Sequence, residues 1–354
     1  MRPVLFIEEP VDQVAGLRDA LHLYSPIPNL WVVEPRVHPG PDAERRTLQL
    51  LREAGQGPLR EAFRDAVHWL YTPSMEPQID AFPPASAIVY DCMDELSNFA
   101  SPPPGLAERE ARLLRRADIV FAGGYELGAA KSRLHENVHV FGCGVDFEHF
   151  HKAAAPQEIP FDLALIPEPR LGYFGVIDER IDYDLVRDLA RTDRSWSIVL
   201  IGPVAKVDPR RLPQEPNIVY MGPRDYAALP SYAAGFSACL MPFAMNDASY
   251  YINPTKSLEY LATGKPVLST PVRDVVRQFH DVIHIADAER FPGLVRRVLA
   301  GELRGSEAGV EKARESSWEK TVALMTMYVS LAAHARAQKR TKPPADRVPI
   351  RVPA

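Results

Sequence analysis

Short apolar runs rich in β-branched and aromatic residues recur along the chain. Each is too brief to alternate, and most are followed by a stretch of helical period. In the first half they are Val4–Ile7, Leu30–Val33, Trp69–Tyr71, Ile88–Tyr90, Ile119–Phe121 and Val138–Phe141. In the second half they are Leu171–Phe174, Ile198–Ile201, Ile218–Tyr220, Cys239–Met241, Val267–Leu268 and Ile283–Ile285. Such runs between helical segments predict parallel strands buried on both faces. Two series of them predict an α/β chain of two doubly wound, Rossmann-like domains.

Lys152 to Pro169 is rich in Ala, Pro and Glu, and the second series begins just after it. That stretch reads as the linker, giving a first domain over 1–160 and a second over 161–316. Leu106 to Ala117 carries Glu108 and Glu110 early and Arg112, Arg115 and Arg116 late, which suits a helix dipole. Trp318, Val322, Met325, Val329 and Ala332 fall on one stripe, predicting a long helix over 317–335. From Ala335 the tail holds six basic residues, one acid and four prolines, so 336–354 is expected to be disordered. Its composition favours a solvated tail over a weak peripheral contact with anionic lipid.

Composition narrows the class. The chain has 354 residues, 25% charged and 46% hydrophobic, an ordinary globular balance that excludes disordered and collagen-like proteins. The net charge of −5 offers no field that would attract nucleic acid. Proline, at 34 residues, is nearly twice the usual ~5% and punctuates many short elements. The 3 cysteines are far apart and form no CxxC pair, which excludes a disulfide framework and suits a reducing compartment. Neither a signal-peptide core nor a run near the ~20 residues of a bilayer span is present, so a cytoplasmic chain is expected.

Candidate chemistry concentrates in three places. In Asn253–Thr270, NPTKSLEYLATGKPVLST, Asn253 reads as an N-cap, Pro254 as the first helical residue and Gly264 as the stop. The N–H groups of Thr255 and Lys256 and the Lys256 ammonium would then form an anion site, with Glu259 one turn away for ribose hydroxyls. A capped helix with a surface Lys–Glu pair is the alternative this segment leaves open. In Gly172–Arg180, GYFGVIDER, Gly175 ends a strand and permits close approach of a ligand, and Arg180 can reach a phosphate. A strand-end glycine beside an exposed arginine is the alternative there. In Tyr90–Glu95, YDCMDE, Asp91, Asp94 and Glu95 could orient an acceptor hydroxyl or act as a base, or Asp94 could simply cap a helix.

Other patterns carry less. Asp182-Tyr183-Asp184 is a DxD, but it opens a helix, where capping accounts for both carboxylates. The i,i+4 histidine pairs, His135/His139 and His280/His284, each run from a helix end towards a strand and make no metal site. No HExxH, Walker A loop or GxSxG elbow occurs.

Jointly the motifs resemble a family. Gly144-Val-Asp-x-x-x-Phe150 resembles the GVDxxxF signature of GT-B-fold glycosyltransferases of the retaining, family-4-like type. Pro254-Thr-Lys256-Ser-Leu-Glu259-Tyr260, continuing to Gly264-Lys265-Pro266, is similar to their donor motif. FIEEP (Phe6 to Pro10), VYDCMDELSNF (Val89 to Phe99) and GYFGVIDER resemble a bacterial subgroup of cell-surface polysaccharide assembly, related to teichuronic acid enzymes. The similarity runs from about residue 4 to 335. Subgroup members carry a further strand and helix, with a W-x-x-R-P-Q-like stretch, ahead of the strand matching Val4–Ile7. The resemblance therefore implies a first domain lacking that pair. Two positions depart from the pattern: Tyr251 stands where the family often has a first glutamate, and Val176 where an arginine usually follows the glycine.

What the resemblance implies is a metal-independent retaining glycosyltransferase with no cofactor. It would move a sugar from a nucleoside diphosphate sugar to a saccharide or lipid-linked acceptor. The catalytic expectation falls on Asp94, Arg180 and Lys256. Donor binding falls on Gly175, Arg180, Asn253, Thr255, Lys256 and Glu259, and the acceptor side on Asp91, Asp94 and Glu95. The final helix would return to the first domain as in the fold it resembles. The competing expectation is a non-catalytic GT-B-fold binder of a sugar nucleotide or of an assembly partner. A GT-B-fold epimerase would need acidic pairs that the sequence does not place.

Overall fold

The computed structural model describes residues 3–57, 59–61, 63–99 and 102–341. The chain divides into two compact units: Met1–Asp91, Pro103–Val120 and Val329–Ala354 form one, and Cys92–Pro102 with Phe121–Tyr328 form the other.

The first unit opens with a sheet of β1 (Val4–Ile7), β2 (Val11–Asp12), β3 (Ala20–Ile27) and β4 (Leu30–Val37). β1 and β2 pair with β4 in parallel. β3 departs from the expectation of parallel strands alone: it pairs with β4 antiparallel. The hairpin turns at Pro28-Asn29, where Asn29 takes φ 67, a left-handed conformation asparagine tolerates. β3 is almost wholly exposed, which is why its residues give no buried-strand signal. Leu5 and Ile7 pack on Val33, Leu51 and Ala81, so helix α1 (Ala43–Gln56), which carries Leu51, covers one face of the sheet.

A further sheet runs in the order β5 (Val67–Leu70), β6 (Ala87–Cys92), β7 (Ile119–Ala122), β8 (Val138–Val140), and the division between units passes through β6 and β7 themselves. Helix α2 (Leu106–Arg116) follows its predicted span. Arg112 and Arg116 on that helix meet the buried Glu76 at 3.0 and 2.9 Å.

The second unit holds a six-stranded sheet of β9 (Arg170–Phe174), β10 (Ser197–Ile201), β11 (Ile218–Gly222), β12 (Ala238–Met241), β13 (Val267–Ser269) and β14 (His284–Ile285). Its order is β11-β10-β9-β12-β13-β14, and every pairing is parallel. This is the doubly wound 3-2-1-4-5-6 arrangement, whose order reverses at β9. β9, β10, β12 and β13 are buried at every position, as the short apolar runs within them predict. The crevice of such a sheet opens at the carboxyl ends of the strands beside the reversal, which places Gly175 at its mouth.

The final helix spans Trp318–Thr341, so residues 336–341, expected to be disordered, continue it. The rest of the predicted tail lies outside the described residues. Tyr328 stacks on the His139 ring at 4.0 Å within the second unit, and Arg336 meets Asp118 at 2.6 Å within the first.

Candidate functional site

Gly175 follows β9 directly and adopts φ 146, a conformation side chains rarely take. A Cβ there would lie 2.0 Å from Lys256 Cε and 2.6 Å from Nζ. The lysine therefore lies across bare backbone at the end of the strand. Gly202, ending β10 with φ 144, is equally tight: a Cβ would stand 1.9 Å from the Gly175 carbonyl oxygen. Two glycines thus hold two strand ends close together beneath one ammonium.

Three helices bear on the site, α3 (Tyr125–Lys131), α4 (Tyr183–Thr192) and α5 (Lys256–Ala262), and Lys256 is the first residue of α5. Burial pushes its ammonium below the ordinary lysine range, Arg180 adds to this, and Glu259 and Asp178 oppose it. Glu259, one turn along, is pushed upward by burial, with Lys256 and His149 pulling it back. Thr255 sits at the N-cap position in a helical conformation without a side-chain cap bond, and its carbonyl accepts from Leu258 and Glu259.

Asn253 is not the cap that its place before Pro254 suggests. Its side chain donates to the Gly123 carbonyl at 2.9 Å and accepts from Gln278 at 3.2 Å, so it ties the donor segment to the Gly123-Gly124 loop. The same loop opens α3, and the Tyr125 N–H donates to the buried Asp274 carboxylate at 2.8 Å.

Arg180 is committed to a partner that sequence reasoning missed. Its Nε donates to Asp178 Oδ1 at 3.0 Å and its Nη2 to Oδ2 at 2.7 Å, a two-pronged grip on a buried carboxylate. The signal stood two residues away inside GYFGVIDER. Asp182 caps α4 by accepting from the Leu185 N–H at 2.9 Å, the structural role expected of the DxD.

The three acidic candidates of the first series separate. Asp94 joins the cluster: burial raises its carboxyl, Arg180 and Lys206 pull it down, and Asp178 pushes it up. Glu95 instead accepts from the buried Lys131 ammonium at 2.7 Å. Asp91 turns into the first unit, where the Trp69 indole donates to its Oδ2 at 2.9 Å. Its Oδ1 is buried without a hydrogen-bond partner among the described residues, and burial pushes the carboxyl up to about 6. The cluster therefore gathers Gly175, Asp178, Arg180, Lys256, Glu259 and Asp94, with Lys206 and Cys143 beside it; burial raises the Cys143 thiol to about 12.

No family model matches the chain. Among curated proteins it is 25% identical over 281 residues to "Putative teichuronic acid biosynthesis glycosyltransferase TuaH" of Bacillus subtilis (strain 168), covering 70% of this chain and 68% of the relative. Sucrose-phosphate synthase from Thermosynechococcus elongatus superposes with a TM-score of 0.70 at 17% identity, over 93% of this chain and 89% of that one. The fold is that of the GT-B glycosyltransferases. A UDP-forming trehalose-phosphate synthase from Burkholderia xenovorans shares it at TM-score 0.66 and 11% identity, covering 94% of this chain and 100% of that one. Anabaena HepE, solved with UDP and glucose, does so at 0.59 and 13%, covering 89% and 86%. In this GT-B chain the charged cluster lies at the strand-order reversal of the second unit's sheet, the position where open α/β sheets take ligands.

Proposed function

We propose that this chain transfers a sugar from a nucleoside diphosphate sugar to an acceptor hydroxyl in cell-surface polysaccharide assembly. The observation that carries the reading is the Lys256 ammonium laid over Gly175 with Arg180 and Glu259 around it. In such a transfer the bond from the anomeric carbon to the phosphate oxygen breaks while the acceptor oxygen bonds to that carbon. Negative charge grows on the departing diphosphate, and a fixed cation already in place stabilises the transition state more than the ground state. Lys256 supplies the larger share, because Asp178 offsets part of the Arg180 charge while holding its direction.

Glu259 fixes the ribose hydroxyls. Asp94 faces the acceptor, and its raised carboxyl makes it a stronger base than a surface aspartate. Thr255 and Gly175 offer backbone to the diphosphate. The cations at the cluster support transfer without a metal, and retention of configuration belongs to the same proposal. The acceptor is a saccharide or its lipid-linked form, met from the cytoplasmic side with the basic residues of the chain's end near anionic lipid. Among the described residues no helix is long and apolar enough to cross a membrane.

The test is a thermal-shift titration with UDP on the wild type, Lys256→Ala and Glu259→Ala, followed by turnover of UDP-glucose and related donors. Both variants are expected to lose protection, Lys256→Ala by about 1.5–3 kcal/mol of binding, roughly ten- to a hundredfold in affinity. Unchanged shifts in both would remove the assignment. Asp94→Asn is expected to keep UDP binding and lose turnover, and saturable UDP binding with no turnover in the wild type would establish the non-catalytic alternative.

A further inference from the structure

β9 loses one of its two neighbours just before the charged cluster. β12 pairs with it opposite Leu171 and Gly172, and among the described residues that pairing goes no further. Past Met241 the chain leaving β12 takes another partner. The Asp182 N–H donates to the Pro242 carbonyl and the Ala244 N–H to the Arg180 carbonyl, both at 2.8 Å. β10 meanwhile keeps its register with β9 as far as Ile201 opposite Phe174. The strands therefore part at the carboxyl end of β9, where the sheet order reverses and a crevice opens.

Parting leaves backbone groups to satisfy. The Gly175 N–H donates to Ile201 on the β10 side at 2.8 Å, so alternation turns the N–H and C=O of Phe174 towards the side that β12 has left. One side chain meets both. The Tyr260 hydroxyl accepts from the Phe174 N–H at 2.9 Å and donates to the Phe174 carbonyl at 3.3 Å. A hydroxyl, with one hydrogen and two lone pairs, can make both bonds at once. Tyr260 is fully buried, and its ring meets the Phe174 ring edge to face at 4.7 Å.

A second phenol braces the same turn. The Tyr173 hydroxyl donates to the Val176 carbonyl at 2.9 Å and so spans Gly175 from one side to the other. A Cβ on Gly175 would stand 3.0 Å from that hydroxyl, and Lys256 Nζ lies 5.9 Å from the centre of the Tyr173 ring. Burial pushes both phenols above the ordinary tyrosine range, so each keeps the proton it donates. Lys256 and Tyr260 are one helical turn apart on α5. The helix that carries the ammonium thus also carries the hydroxyl that fixes the strand end beneath it.

We infer that Tyr260 and Tyr173 are positioning residues for sugar transfer: their hydroxyls hold the Phe174–Val176 turn at a fixed height under Lys256, so that the Gly175 backbone and the ammonium meet the departing diphosphate together. Both act through the turn and not by contact with the donor. The inference rests on the reading of the cluster as a nucleoside diphosphate site.

The test compares Tyr260→Phe and Tyr173→Phe with Tyr220→Phe, whose hydroxyl donates to the Pro213 carbonyl at 3.1 Å beside the edge strand β11. UDP and uridine affinities and donor turnover are measured on protein shown to be folded by circular dichroism, and amide exchange is followed at Phe174. Tyr260→Phe is expected to weaken UDP binding and to lower kcat, each by roughly tenfold, and to speed exchange of the Phe174 amide at least as much. Uridine, which lacks the diphosphate, is expected to bind this variant and the wild type alike. Tyr173→Phe should move UDP affinity and kcat in the same direction by roughly threefold, and it decides the matter if Tyr260→Phe does not fold. Tyr220→Phe should match the wild type throughout. Wild-type UDP affinity and turnover in folded Tyr260→Phe would overturn the proposal. So would an equal loss in Tyr220→Phe or an equal loss for uridine, since either reports a general loosening of the unit. A wild type that binds no UDP removes the reading of the cluster and this inference with it, whereas wild-type binding with unaltered variants removes the inference alone.

Discussion

The six-stranded sheet of the second unit and the β1–β4 sheet of the first are written in the same short aliphatic runs, yet they end differently. IVLI, inside β10, is buried at every residue, whereas VLFI of β1 alternates between exposed and half-buried. The composition of the runs is not what separates them. Each central strand of the second sheet has a neighbour on both sides, while among the described residues β1 has one neighbour and one covered face. A strand's apolar content thus states a demand for cover, and the surrounding elements decide whether the demand is met.

The largest effect expected from this contrast is a pair of truncations. Leu200→Ala, at 1% exposure, should cost about 3 kcal/mol, whereas Phe6→Ala, at 44%, should cost under about 1 kcal/mol. Urea unfolding of both measures the gap, and equal costs would break the comparison.

Glu95→Gln comes next. It replaces the charged half of the ion pair with the 2%-exposed Lys131 ammonium by a neutral amide, and should destabilise the chain by about 2 kcal/mol. Turnover of the folded fraction is expected to be unchanged, since Lys131 takes up the Glu95 carboxylate. A loss of turnover at full stability would return Glu95 to the acceptor side.

Asp91 offers a pH test in the first unit. Its folded carboxyl, near 6 against the ordinary 3.8, binds a proton more tightly than the unfolded chain does. Its contribution is therefore unfavourable above pH 6 and is relieved as pH falls through about 6 towards 4. Asp91→Asn should stabilise the chain by about 2 kcal/mol at pH 7.5 and lose that advantage near pH 4. Urea midpoints at the two values decide it, and an identical pH slope in both proteins would count against the buried carboxyl.

The smallest expected effect sharpens the cluster. Asp178→Asn frees the Arg180 fork from its anchor, and donor turnover should fall by roughly tenfold, about 1.4 kcal/mol, with UDP affinity changing less. Rescue by Asp178→Glu would identify a positioning role for the carboxylate.

Much of the fold was legible in the runs. Every predicted strand has its counterpart, and the parallel pairing of the second series follows from its short buried apolar runs. β3 was not legible, because an exposed hairpin strand carries no burial signal. Of the site residues, Gly175 and Lys256 stood out by type and place, and the structure brings them into contact distance. Asn253 looked like a cap because local rules favour it before Pro254, but longer-range partners at Gly123 and Gln278 hold it. Asp91, Asp94 and Glu95 are nearly adjacent in sequence and point to three different environments.

Residue order alone determined where strands and helices form, because propensity and periodicity act over a few neighbours. It also determined that glycines and one lysine would fall at strand and helix ends. Tertiary structure alone decided which carboxylate meets which cation and which aliphatic face stays bare. Those outcomes depend on distances between segments far apart in the chain, and backbone and charge pairing are satisfied only where the fold brings such segments within a few ångströms.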